Sequence, residues 1–109
     1  MQLGELSEFI DWTLSDLGKG TFPRDPDMTK RIFAQTIKLA EEVGELSSEV
    51  LGKTWFVRKE KLAKHSDETL NDEFADVILV TLRLAKLMDI DIESALKSKM
   101  AKIKERHAK

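Results

Sequence analysis

"KLAEEVGELSSEV", residues 38–50, carries four glutamates, Glu41, Glu42, Glu45 and Glu49, among apolar residues at helical spacing. Around it, Ile32, Thr36, Leu39, Val43, Leu46 and Val50 make one stripe, and Phe33, Ile37, Ala40, Gly44 and Leu51 make a second. Lys38, Glu42, Glu45 and Glu49 share the remaining sector. This is an amphipathic helix expected from about Met28 to Leu51, with Asp27 as its cap. Taken alone, its acids read as a solvated polar face.

Working outward, "LGELSEFIDWTLSDLG" places Leu3, Leu6, Ile10, Leu14 and Leu17 on one helical face. "GKGTFPRDPD" then breaks the helix with glycine and proline. "GKTWFVRKEKLAKHSD" has no clean period and reads as a loop. A third helix is expected from near Glu68, after candidate caps Ser66 and Asp67, to about Met88. "DID" makes a turn, Asp91 caps, and a fourth helix runs towards the carboxyl end. With no strand-like alternation or internal repeat, the class is all-α, a bundle of four main helices in one domain covering residues 1–109.

Composition narrows the function classes. A hydrophobic share of 41% suffices for a core, and 35% charged residues favour a soluble protein. The net charge of −2 supplies no global field for nucleic acid. No cysteine is present, and the first residues lack the basic and apolar regions of a signal peptide. No apolar run is long enough to span a membrane. A cytoplasmic protein without nucleic-acid or membrane partners is the expectation.

The third helix alters the reading of the acids. "LNDEFADVILVTLRLAKLM" is apolar nearly all round, as a buried helix would be. Leu70, Glu73, Val77, Val80 and Leu84 fall on one stripe, so Glu73 lies inside the apolar face, with Asp76 three residues on. A buried carboxylate needs a cation or a proton. An ion pair with Lys38, Arg83 or a lysine of the last helix is one solution. The other joins two i, i+3 pairs: Glu42 with Glu45, and Glu73 with Asp76. Four carboxylates between packed helices would repel unless a hard divalent ion sat among them. Oxygen donors without His or Cys point to Mg²⁺ or Mn²⁺.

In "LKSKMAKIKERHAK", Ile92, Leu96, Met100 and Ile103 form an apolar face, with Lys99, Lys102 and Arg106 in a row beside it. Such a row is either a solvated face or, near a bound metal, a second source of positive charge for a polyphosphate. One short basic row without interleaved aromatics gives little support for nucleic-acid binding. His65 and His107 read as surface histidines, and Trp12, Trp55 and Phe56 as core or subunit contacts.

Together, "EEVGE" (Glu41 to Glu45), "EFAD" (Glu73 to Asp76) and "KMAKIKER" resemble the MazG-type nucleotide pyrophosphohydrolases, whose signature is ExxE, a spacer, then ExxD. The resemblance covers roughly residues 30–106 and implies an all-α bundle assembled as a homodimer or homotetramer. It implies Mg²⁺-dependent hydrolysis of nucleoside triphosphates to monophosphate and pyrophosphate. By position, Glu42, Glu45, Glu73 and Asp76 would be metal ligands, with Glu41 or Glu45 acting on the attacking water. Lys38, Lys99, Lys102 and Arg106 would meet phosphate. Relatives that cleave dCTP have an asparagine and a tyrosine where this chain has Ile103 and Val80, which leaves base and sugar preference open. The rival readings are a non-catalytic helical interaction module and a sibling activity on phosphoribosyl-ATP.

Overall fold

The computed structural model describes residues 1–14, 26–54 and 67–108. Within them the chain forms four α-helices and no strand: α1 (Leu3–Leu14), α2 (Pro26–Lys53), α3 (Asp67–Leu87) and α4 (Ile92–His107). Leu17, Trp55, Phe56, His65 and Ser66 lie outside the described residues. None of the described helices is long and apolar enough to cross a membrane.

Helix ends follow local chemistry. α2 starts at Pro26, so Asp27 stands in its first turn and not at the cap. Proline suits the first helical position because its missing N–H would have no partner there, and an acid one step on faces the positive end of the helix dipole. α3 ends in a Schellman turn. Asp89 adopts a left-handed φ of 57°, Ile90 N donates to Ala85 O at 2.9 Å, and Asp89 N donates to Lys86 O at 3.1 Å. α4 opens on Asp91 as expected: its side chain accepts from Ser94 N at 3.2 Å and Ser94 Oγ at 2.9 Å. The Ser94 backbone bond chiefly holds the Asp91 carboxyl below its usual range.

The principal packing is α2 against α3, with α1 on α3 next. Thr69 Oγ1 donates to Glu49 Oε2 at 3.2 Å, while Met28, Ile32 and Leu87 form one buried cluster. The two helices are therefore antiparallel. Met28, Ile32, Gln35, Leu39, Glu42, Leu46 and Glu49 follow in steps of four and three, and so do Thr69, Glu73, Asp76, Val80, Arg83 and Leu87. That spacing keeps both sets on facing seams. The contacts towards the two ends of the seam, Ile32 with Leu87 and Glu49 with Thr69, bracket Glu42, Glu73 and Asp76. Val80, one turn beyond Asp76 on the same helix, is 1% exposed.

α1 buries Ile10 and sets Leu14 against the Met28–Ile32–Leu87 cluster. Lys86 Nζ also reaches Asp11 at 3.3 Å and Ser7 Oγ at 3.0 Å, surface contacts that orient α1 and stabilise it little.

Two expectations need correction. α3 is not buried all round, since Phe74 and Ile78 are exposed, Ile78 by 53%. The fourth helix is present but is not a packed member of a bundle. It has no buried residue and makes only sparse contacts with the others, leaving Leu96, Met100 and Ile103 open. The second stripe of α2 is open too, with Phe33 64% and Ile37 62% exposed.

Candidate metal centre

The α2–α3 register brings one carboxyl oxygen each of Glu42, Glu73 and Asp76 within 4.8 Å of one another. Two negative charges that close repel by about 3–4 kcal/mol at an effective dielectric of about 20. Three such groups therefore need a cation or a proton. Among the described residues no cation acts on Glu73. Its carboxyl is instead pushed from the usual 4.5 up to about 7, first by burial, then by the charges of Glu45, Glu42 and Asp76. A carboxyl–carboxyl contact with Glu42 adds to the rise, because only a proton can satisfy it. The ion pairs considered from sequence, with Lys38, Arg83 or a lysine of α4, are not formed at Glu73.

Among the described residues, Glu42 Oε2 and Glu73 Oε2 are buried with no hydrogen-bond partner. Buried polar atoms normally have one, so the nest is incomplete as a purely structural device. Its donor set is all oxygen and negatively charged, with no His or Cys, which fits a hard divalent cation.

The other expected site residues are placed differently. Glu45 is exposed and stands beside the nest, near enough for its charge to raise Glu73 but outside the three converging oxygens. Three residues turn an α-helix to within about 60° of the starting face, so Glu42 at the seam centre leaves Glu45 at its edge. Glu41 and Lys38 are exposed and not drawn into the nest. Lys99, Lys102 and Arg106 are exposed on α4, which one chain does not pack against the acids. Glu49 accepts from Thr69. Gln35 Oε1 and Arg83 Nε are also buried without a hydrogen-bond partner among the described residues.

Fold and site together define an all-α protein whose antiparallel helix pair carries a carboxylate nest suited to a divalent metal. The family model of the MazG nucleotide pyrophosphohydrolase domain matches residues 34–109, and the chain belongs to that family. It is also similar to the uncharacterized protein YpjD of Bacillus subtilis (strain 168), with 36% identity over 63 residues, 58% of this chain and 55% of that protein. The chain thus spans about half the length of this curated relative. No solved structure matches it.

Proposed function

We propose that the chain is a Mg²⁺-dependent nucleoside triphosphate pyrophosphohydrolase, taking a ribo- or deoxyribonucleoside triphosphate and water to monophosphate and pyrophosphate. The observation that carries this reading is the nest of Glu42, Glu73 and Asp76, with two buried carboxylate oxygens unpartnered, in a chain of this family. Those three residues would hold Mg²⁺, or Mn²⁺ in its place, with Glu45 completing the set at the rim. Once bound, the ion supplies neutralisation of the triphosphate and polarisation of a phosphoryl oxygen.

The chain's own groups do the rest. Glu45, exposed beside the nest, would orient an attacking water and take its proton, with Glu41 as the alternative base one step round α2. Lys38, one turn before Glu42, meets phosphate from the α2 side. Lys99, Lys102 and Arg106 balance the charge growing on the departing pyrophosphate. No covalent nucleophile is required.

The working unit in this reading is a homodimer or homotetramer. Phe33, Ile37, Phe74, Ile78 and the apolar face of α4 are more than scattered surface residues. A second copy covering them would also bring a basic α4 to an acidic nest, which one chain does not do.

Glu73→Gln tests the assignment. It should abolish metal-dependent turnover with helicity retained, because it deletes a ligand charge without deleting bulk. Glu49→Gln is the control: it keeps an oxygen to accept from Thr69 and should remain active. Equal behaviour of the two variants would dismiss the ligand assignment.

A further inference from the structure

Two open surfaces away from the metal nest complement each other. One is a groove of about 720 Å³ between α1 and the end of α3, lined by Leu3, Leu6, Ile10, Leu82, Ile90 and Ile92. Leu3 and Ile90 are 40% and 51% exposed, so its apolar lining meets water. The groove is acidic at its borders. Asp89 and Glu93 line the end where α4 begins. α1 carries Glu5, Glu8 and Asp11 and has no Lys or Arg. Lys86, the cation on the groove, is already paired with Asp11 at 3.3 Å.

The other surface is α4. Leu96, Met100 and Ile103 follow at i, i+4 and i+7 and are 46%, 56% and 42% exposed. That is the anchor spacing of an amphipathic helix laid in a groove. At about 100° per residue, Lys97 and Lys104 flank this stripe on one side, and Lys99 and Arg106 on the other. A basic, apolar-striped helix and an acid-bordered apolar groove match in charge as well as in hydrophobicity.

One chain cannot join them. α4 begins on the groove's own wall, with Ile92 and Glu93 its lining residues. Leu96 and Ile103 lie about 6 Å and about 16 Å further along the helix axis. A straight helix does not turn its later turns back onto the place where it starts, and α4 has no buried residue. A second copy meets no such constraint. Because each α4 springs from its own groove, laying it across another copy's groove returns that copy's α4 to the first, which is the self-complementary geometry of a twofold pair.

We propose that each copy's groove receives the Leu96–Met100–Ile103 stripe of the other copy's α4. This rests on the homo-oligomer in the reading above and names the surfaces that form it. Lys97 and Lys104 turn towards the acidic border, which leaves Lys99, Lys102 and Arg106 on the opposite flank for phosphate.

The chain has no cysteine, so introduced ones report cleanly. Chains carrying Ile90→Cys are mixed with chains carrying Met100→Cys and oxidised, with Ile37→Cys in place of Ile90→Cys as the control. All three positions are exposed, so the variants keep the fold. Mass spectrometry should find a covalent pair, one chain of each kind, about tenfold or more abundant than with the control. Met100→Glu should weaken self-association in sedimentation by about tenfold or more, since it carries a charge into an apolar contact. A wild-type oligomer that Met100→Glu leaves unchanged, with cross-linking no greater than the control, would overturn the groove pairing and leave assembly through α2 and α3 standing. A wild-type species of 12.4 kDa would overturn the assembly reading and this pairing with it.

Discussion

Replacing Glu73 with glutamine should make the metal-free protein more stable, by an amount that grows as pH rises from about 4.5 to about 7 and then holds. In the folded chain the Glu73 carboxyl titrates at about 7, against its usual 4.5. The folded state therefore binds more protons than the unfolded state between those values. The contribution of this group is fully present below 4.5 and is lost as pH rises through 7. The shift sets a ceiling of about 3.4 kcal/mol at about 1.36 kcal/mol per pKa unit. Partial exposure and the sharing of the proton with Glu42 reduce it to roughly 1–2 kcal/mol.

Glutamine mimics the protonated acid, so Glu73→Gln should match wild type near pH 4 and exceed it by about that amount near pH 8. The assay is urea or thermal unfolding in chelator at both pH values, with protein concentration fixed because assembly contributes to stability. On heating, the gain corresponds to about 4–8 °C per kcal/mol. Saturating Mg²⁺ should reverse the order, since only the wild-type nest gains binding energy from the ion. A variant equal to or less stable than wild type at the higher pH, or equally improved at both, would refute the view of Glu73 as a repelled, half-desolvated acid.

The same proton links metal affinity to pH. Mg²⁺ or Mn²⁺ binding should strengthen as pH rises towards about 7 and then level off. Calorimetry in buffers of different ionisation enthalpy should show close to one proton released near pH 6 and about half a proton near pH 7; no release would mean that the ion avoids Glu73. For assembly, light scattering at micromolar concentration should give twice or four times the 12.4 kDa chain mass, and Ile37→Glu or Ile78→Glu should lower it. A wild-type species of 12.4 kDa would remove the proposed dimer or tetramer.

Much of this architecture is legible in the residues, and the misses have physical causes. Periodicity located all four helices, because each has an apolar face at helical spacing. It also found Glu73 inside a stripe, the most informative single position in the chain. Periodicity reports which face is apolar, however, and not what covers it. Phe74 and Ile78 fall in the apolar stretch of α3 and are open because, among the described helices, it has α1 and α2 alone as substantial neighbours. The direction of α4 depends on the left-handed turn at Asp89, a backbone property that side-chain patterns do not encode, so its basic row could be placed on a face but not in space. Likewise an i, i+3 pair does not say which member sits at the seam centre. The four-three alternation does, and it separates Glu42, Glu73 and Asp76 from Glu45 at the edge.

The central claim concerns which bond breaks, and phosphorus NMR addresses it most directly. A nucleoside triphosphate incubated with the protein and Mg²⁺, without added pyrophosphatase, should give pyrophosphate and nucleoside monophosphate as first products, with the signals silent in chelator. Orthophosphate and nucleoside diphosphate as first products would contradict the account, even if Glu73 and Asp76 proved essential.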